Sequence, residues 1–163
     1  MKAFTKRTYE SFHQFWDDVR FLRTNRAAVQ AAMSGKTVSP AFRERIILAV
    51  TAVNQCRYCS YVHTRAALKS GVSREEVDGL FAGTVDTEPE EERVALLYAQ
   101  HWAETRGNPD PETLARLNET YPPETVEAIH AVMRMINLNN LCGNTFDRLL
   151  HTITFGILGG EKK

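Results

Sequence analysis

The fold turns on the stretch Ser39 to Gly71, SPAFRERIILAVTAVNQCRYCSYVHTRAALKSG. Ser39 before Pro40 marks a helix start: serine accepts a hydrogen bond from a free N–H of the first turn, and proline at the first helical position has no donor to lose. Ile46, Ile47, Val50 and Val53 recur at helical spacing, which predicts a helix from about Pro40 to Asn54. Asn54-Gln55 is its stop. A second helix follows with Val62, Ala66 and Leu68, and Gly71 supplies its C-terminal cap. Cys56, Cys59 and His63 stand in its first turns at i, i+3 and i+7, a spacing that sets two thiols and an imidazole along one helical face.

Working outward, Tyr9 to Met33 reads as one amphipathic helix, or two joined near Thr24-Asn25, with Gly35 ending it. Ser73-x-x-Glu76 is a capping box opening a short helix through Val77, Leu80 and Phe81 that stops at Gly83. Glu88 to Glu92 crowd the first turn of the next helix, where its dipole favours negative charge, and Val94, Leu97, Tyr98 and Trp102 form the apolar stripe. Pro111 to Tyr121 is a brief helix broken by Pro122-Pro123. The last pattern runs from Glu124 towards Phe155 through Val126, Ile129, Val132, Met133, Ile136, Leu141, Phe146, Leu149, Leu150 and Ile153, with Gly143 as a candidate interruption. No stretch alternates with period two, so the expected class is all-α, and the tail from Gly159 to Lys163 is read as loose.

The chain has 163 residues, a length that suits one domain spanning 1–163. Twenty basic and twenty acidic residues cancel, and no basic stripe is present to hold a phosphate backbone, which argues against nucleic acid. The start lacks an apolar run of signal-peptide length, and nothing approaches the roughly 18 apolar residues of a membrane span. A soluble cytoplasmic protein is expected. Three cysteines, two of them as C-x-x-C, make no disulfide framework; in a reducing compartment the pattern points to redox chemistry or metal binding.

A thiol attacks as thiolate, so a reactive cysteine needs its pKa lowered from about 8.5. The helix N-terminus favours an anion at Cys56, and His63, one turn after Cys59, is placed to accept that thiol's proton. A drop of about two units raises the thiolate fraction at pH 7 from roughly 3 % to roughly 75 %. A sulfenic acid formed on Cys59 is then within reach of Cys56, which closes a disulfide with loss of water. In a regular helix an i, i+3 pair holds its Cβ atoms about 5–6 Å apart, so closure is expected to distort the first turn. Glu44, one helix earlier, is the candidate hydrogen-bond partner that orients His63.

Glu44, Cys56 twelve positions on, Cys59, His63 and the A-x-x-x-G run from Ala67 to Gly71 together resemble the alkylhydroperoxidase D and carboxymuconolactone decarboxylase family. The likeness is clearest from Phe12 to Gly83, and Asn137 to Leu149 is similar to the closing helix of such proteins. It implies an all-helical trimer or hexamer that reduces peroxides through its cysteine pair, with no prosthetic group. Carried over, it implies Cys59 as the attacking thiol, Cys56 as its resolving partner, His63 as base and Glu44 as relay. Organic hydroperoxides are the implied substrates, and a small thiol protein or lipoyl group the reductant. One position departs from the pattern: Tyr58 stands where the best-known members have a second histidine, and a phenol is a poor base near pH 7. Tyr58 is therefore a candidate for the pocket wall or for an altered relay.

Competing readings attach to the same residues. Glu44, Cys56, Cys59 and His63 are four zinc ligands by type, but structural zinc sites usually add a second C-x-x-C or paired histidines, and no metal is expected. A non-catalytic redox sensor, an oligomeric interaction module, and a decarboxylase or lactone enzyme are the other function classes. Glu44 has Arg43 and Arg45 as alternative partners. Cys142 reads as a core thiol, and His13, His101, His130 and His151 have no partner evident in sequence. The polar run Asn137, Asn139, Asn140, Asn144 and Asp147 is odd for an apolar helix and suits helix ends or a subunit contact.

Overall fold

A computed structural model of the chain describes residues 3–86 and 89–159. Among them the helices are α1 (Phe12–Thr24), α2 (Arg26–Met33), α3 (Pro40–Asn54), α4 (Arg57–Lys69), α5 (Arg74–Ala82), α6 (Glu90–Glu104), α7 (Pro111–Thr120) and α8 (Pro123–Ile153). The fold is all-α, with no strand among the described residues. Glu88 and the tail from Gly160 lie outside the described residues.

Helix α3 is the axis of the molecule. Ser39 caps it by accepting from Phe42 N at 3.0 Å, and Pro40 occupies the first turn. Ile46, Ile47, Leu48, Ala49 and Val50 are all buried, so this helix is apolar on every side, as a helix surrounded by others must be. α4, α5, α6 and α8 pack around it. Arg45 is buried with it and reaches both Glu76 (2.7 Å) and Glu92 (3.0 Å), tying α3 to α5 and α6. Glu76 also completes the capping box with Ser73, so one carboxylate closes a helix start and holds a buried guanidinium.

The α1–α2 break falls at Asn25, whose side chain and backbone both donate to Phe21 O. Several apolar positions turn outward instead of inward. Leu97 of α6 is exposed while Ala95, Leu96, Tyr98, Ala99 and Trp102 are buried, and on α4 the inward residue is Ala67, with Val62 and Leu68 outside.

Helix α8 differs most from the expected pattern. It runs unbroken through Gly143. Beyond Ile136 the buried residues are Asn140, Asn144, Asp147 and His151, while Phe146, Leu149 and Ile153 are exposed. The polar face is needed where it packs. Asn144 donates to the carbonyl of Asn54 (2.6 Å) at the end of α3, and Asn140 bonds Thr51 (3.3 Å), filling donor and acceptor sites that an apolar face would leave empty. The extended N-terminal segment, residues 3–11, lies along this half of α8: Asn144 donates to Arg7 O (2.8 Å), Tyr9 N donates to Thr145 Oγ1 (3.3 Å), and the Phe4 ring meets His151 edge-on.

Candidate active site

Only Gln55 and Cys56 separate α3 from α4. Gln55 takes the left-handed conformation (φ 58°) that ends α3, and Cys56 is extended (φ −80°, ψ 106°), which makes it the N-cap of α4 and not a member of the helix. This corrects the expectation that both thiols sit in the helical turns. The Cys56 Sγ accepts from Cys59 N (3.5 Å), as a serine oxygen would at this position, and lies 3.0 Å from Cys59 Sγ. Both are free thiols. Because the pair straddles the helix start, the separation assumed for two in-helix residues does not apply, and the sulfurs meet with α4 intact.

The two thiols differ in exposure and acidity. Cys56 is fully buried and Cys59 is half-buried. The Cys59 thiol donates to Cys56; that hydrogen bond, with help from the N–H groups of Cys59 and Tyr58, outweighs burial and the nearby Asp147 charge and lowers the Cys56 pKa to about 6. The same bond, with burial, raises that of Cys59. When the pair loses one proton, the charge is therefore favoured on Cys56 and the remaining, shared proton on Cys59.

Glu44 is buried in α3, and its Oε2 lies 2.8 Å from His63 Nδ1 on α4. Arg45 is committed to Glu76 and Glu92, and the Arg43 Nε is a longer 3.6 Å from the other Glu44 oxygen, so the imidazole is the closest partner. The bond fixes the ring and leaves Nε2 as its free nitrogen. It joins His63 to Glu44; no hydrogen bond joins His63 to either cysteine among the described residues. No three His, Cys, Asp or Glu side chains group as a metal site among the described residues, so the four side chains do not converge as zinc ligands.

Tyr58 is bonded to charged neighbours. Its hydroxyl donates to Asp147 Oδ1 (3.0 Å) and accepts from Arg57 Nη2 (2.7 Å). Asp147 is itself fully buried and also binds Arg57 (2.7 Å) and Lys6 (2.8 Å). One turn before it, Gly143 passes so near the pair that a Cβ there would stand 3.2 Å from Cys56 Sγ. Sequence reasoning missed Lys6, Arg57, Gly143 and Asp147 as parts of this site. The available signal was the spacing of Asn140, Gly143, Asp147 and His151, a small-and-polar stripe in a helix whose opposite face is apolar.

A pocket of about 200 Å³ opens between the N-terminal segment, α1, α6 and α8, lined by Tyr9, Asp18, Asn54, Trp102, Arg134 and Asn137 among others. None of the four sequence-predicted residues lines it. Asp18, held by Tyr9 (2.8 Å) and Arg134 (3.3 Å), has its pKa raised by burial. Of the histidines left unassigned in sequence, His101 pairs with Asp110 (2.7 Å), His13 lies 3.3 Å from Asp17, and His130 meets Tyr98.

Comparison with known proteins returns one family, described as the carboxymuconolactone decarboxylase family, whose sequence model matches residues 20–101, half of the chain. The match spans Glu44, Cys56, Cys59 and His63 and ends before α8. Neither a curated protein nor a solved structure matches.

Proposed function

The chain belongs to the carboxymuconolactone decarboxylase family, and from that premise we propose that it is a thiol-dependent peroxidase acting on organic hydroperoxides through Cys56 and Cys59. The observation that carries this reading is the sulfur pair at 3.0 Å, together with a carboxylate–imidazole pair at 2.8 Å that joins α3 to α4.

In the proposed cycle the pair loses one proton to His63, which Glu44 orients. The shared proton moves onto Cys56, and Cys59, the more accessible sulfur, attacks the terminal peroxide oxygen. The O–O bond breaks, Cys59 becomes a sulfenic acid, and the alkoxide takes the proton from His63. The Cys56 sulfur then attacks the Cys59 sulfur, its proton leaves with the hydroxyl as water, and a disulfide forms. Two thiols and one hydroperoxide give a disulfide, an alcohol and water. A dithiol of the lipoyl or small-protein kind returns the two electrons, which suits a reducing cytoplasm. The exposed apolar residues Tyr61, Val62, Phe146, Leu149 and Ile153 support assembly into a homo-oligomer. No helix of the described residues is long and apolar enough to cross a membrane.

Turnover of cumene hydroperoxide with a dithiol reductant tests the reading. Cys59→Ser is expected to abolish it, and Cys56→Ser to permit a single oxidation, trapped as a sulfenic acid on Cys59 by mass spectrometry. Full turnover by Cys59→Ser would sink the assignment. Decarboxylation of a carboxylated lactone that survived loss of both cysteines would replace it with the chemistry in the family's name.

A further inference from the structure

We propose that Asp147 is a positioning residue for the thiol pair: it clamps the start of α4 between α8 and the N-terminal segment, and its charge restrains the thiolate on Cys56. The proposal takes Cys56 and Cys59 as the reacting pair, and so rests on the reading above.

A carboxylate with no exposed surface persists only if it is paired and fully hydrogen-bonded. Asp147 meets that condition with groups from two distant parts of the chain. Arg57 Nη2 (2.7 Å) and Tyr58 Oη (3.0 Å) come from the residues that directly follow the Cys56 cap, and Lys6 Nζ (2.8 Å) comes from the N-terminal segment. Gly143, on the same face of α8, removes the side chain that would otherwise hold Cys56 off. Glycine contact and carboxylate anchor together set where the cap sulfur stands relative to the N–H groups that bind it.

The charges around Cys56 give the direction of the electrostatic effect. Cys59 and the Tyr58 N–H bond Cys56 from its own turn and α8 contributes the Asp147 charge, while Arg57 and, from the N-terminal segment, Lys6 pair with that carboxylate. On α3, Glu44 is engaged by His63. Asp147 disfavours a thiolate, whereas Arg57 offsets Asp147. Neutralising Asp147 thus makes the surroundings more cationic, and neutralising Arg57 makes them more anionic. A purely structural anchor behaves otherwise: loosening the cap from either side weakens the same N–H donors, and both variants would raise the thiol pKa.

The test is a pH titration of thiolate ultraviolet absorbance, checked by the pH dependence of iodoacetamide alkylation, in a Cys142→Ser background so that only the pair reports. It reads ionisation and not turnover, so it stands even for a chain without peroxidase activity. The parent midpoint is expected near pH 6. Asp147→Asn should lower it by about one unit, and Arg57→Gln should raise it by about half a unit. An unchanged or raised midpoint in folded Asp147→Asn overturns the proposal. Should that variant not fold, Arg57→Gln and Arg57→Lys together decide, since Arg57 is partly exposed: a midpoint raised by Gln and restored by the charge-keeping Lys supports the proposal, and one that Gln leaves unchanged or lowers, or that Lys raises as much as Gln does, overturns it.

Discussion

From Val126 to Ile136 the last helix turns Val126, Ile129, Val132, Met133 and Ile136 inward; from Asn140 to His151 the same helix turns Asn140, Asn144, Asp147 and His151 inward and leaves Phe146 and Leu149 outside. The first half sits in the apolar core with α3. The second half meets the end of α3, the cap of α4 and an extended segment, all of which present backbone or charged groups that need partners. What a helix buries is thus decided by what lies opposite. A hydrophobic pattern reports the inward face only where the opposite surface is itself apolar.

The largest test of this contrast removes one inward residue from each half. Asp147→Ala leaves Lys6 buried without its anion and is expected to cost about 4 kcal/mol. Ile136→Ala, which deletes part of a fully buried side chain, is expected to cost about 3 kcal/mol. Urea denaturation measures both, and an Asp147→Ala cost under about 1 kcal/mol would mean that the polar half is held by something other than its ion pairs.

A smaller effect is expected at the junction. Gly143→Val places methyl groups against Cys56 Sγ and should cost about 2 kcal/mol through crowding. It should also slow peroxide-induced loss of the two thiols, which thiol titration follows; an unchanged rate would show that the glycine contact does not set the position of the cap sulfur.

The smallest change in stability belongs to the outward face. Phe146→Ser combined with Leu149→Ser should shift unfolding by less than about 0.5 kcal/mol, since both side chains are exposed. Its expected consequence is a fall in molecular mass by light scattering. An unchanged mass would leave these residues without a role in assembly.

Helix boundaries were largely legible because their signals are local. Ser39-Pro40, the Ser73–Glu76 box and Gly83 each act within a turn of chain, and the helices begin and end there. Glu44 was named in sequence as the candidate partner of His63, but the contact itself, a direct bond of 2.8 Å, depends on how α3 packs on α4. The place of Cys56 was not evident, because one left-handed residue at Gln55 separates a cap from a first turn, and glutamine carries no preference that announces it. Tyr58 was read as a candidate for the pocket wall or an altered relay; that its hydroxyl reaches a carboxylate 89 residues away was not legible.

Sequence by itself determined that the chain is all-α, which of its segments are helical, and that two thiols, an imidazole and a carboxylate lie on or next to one pair of helices, because propensity, capping and spacing act over a few residues. Tertiary structure alone decided that Cys56 caps α4, that the cap rests on Gly143, and that Lys6, Arg57 and Tyr58 meet on Asp147. These depend on which surfaces are brought together by packing on α3. A buried charge finds its partners in space, and nothing along the chain records the distance between them.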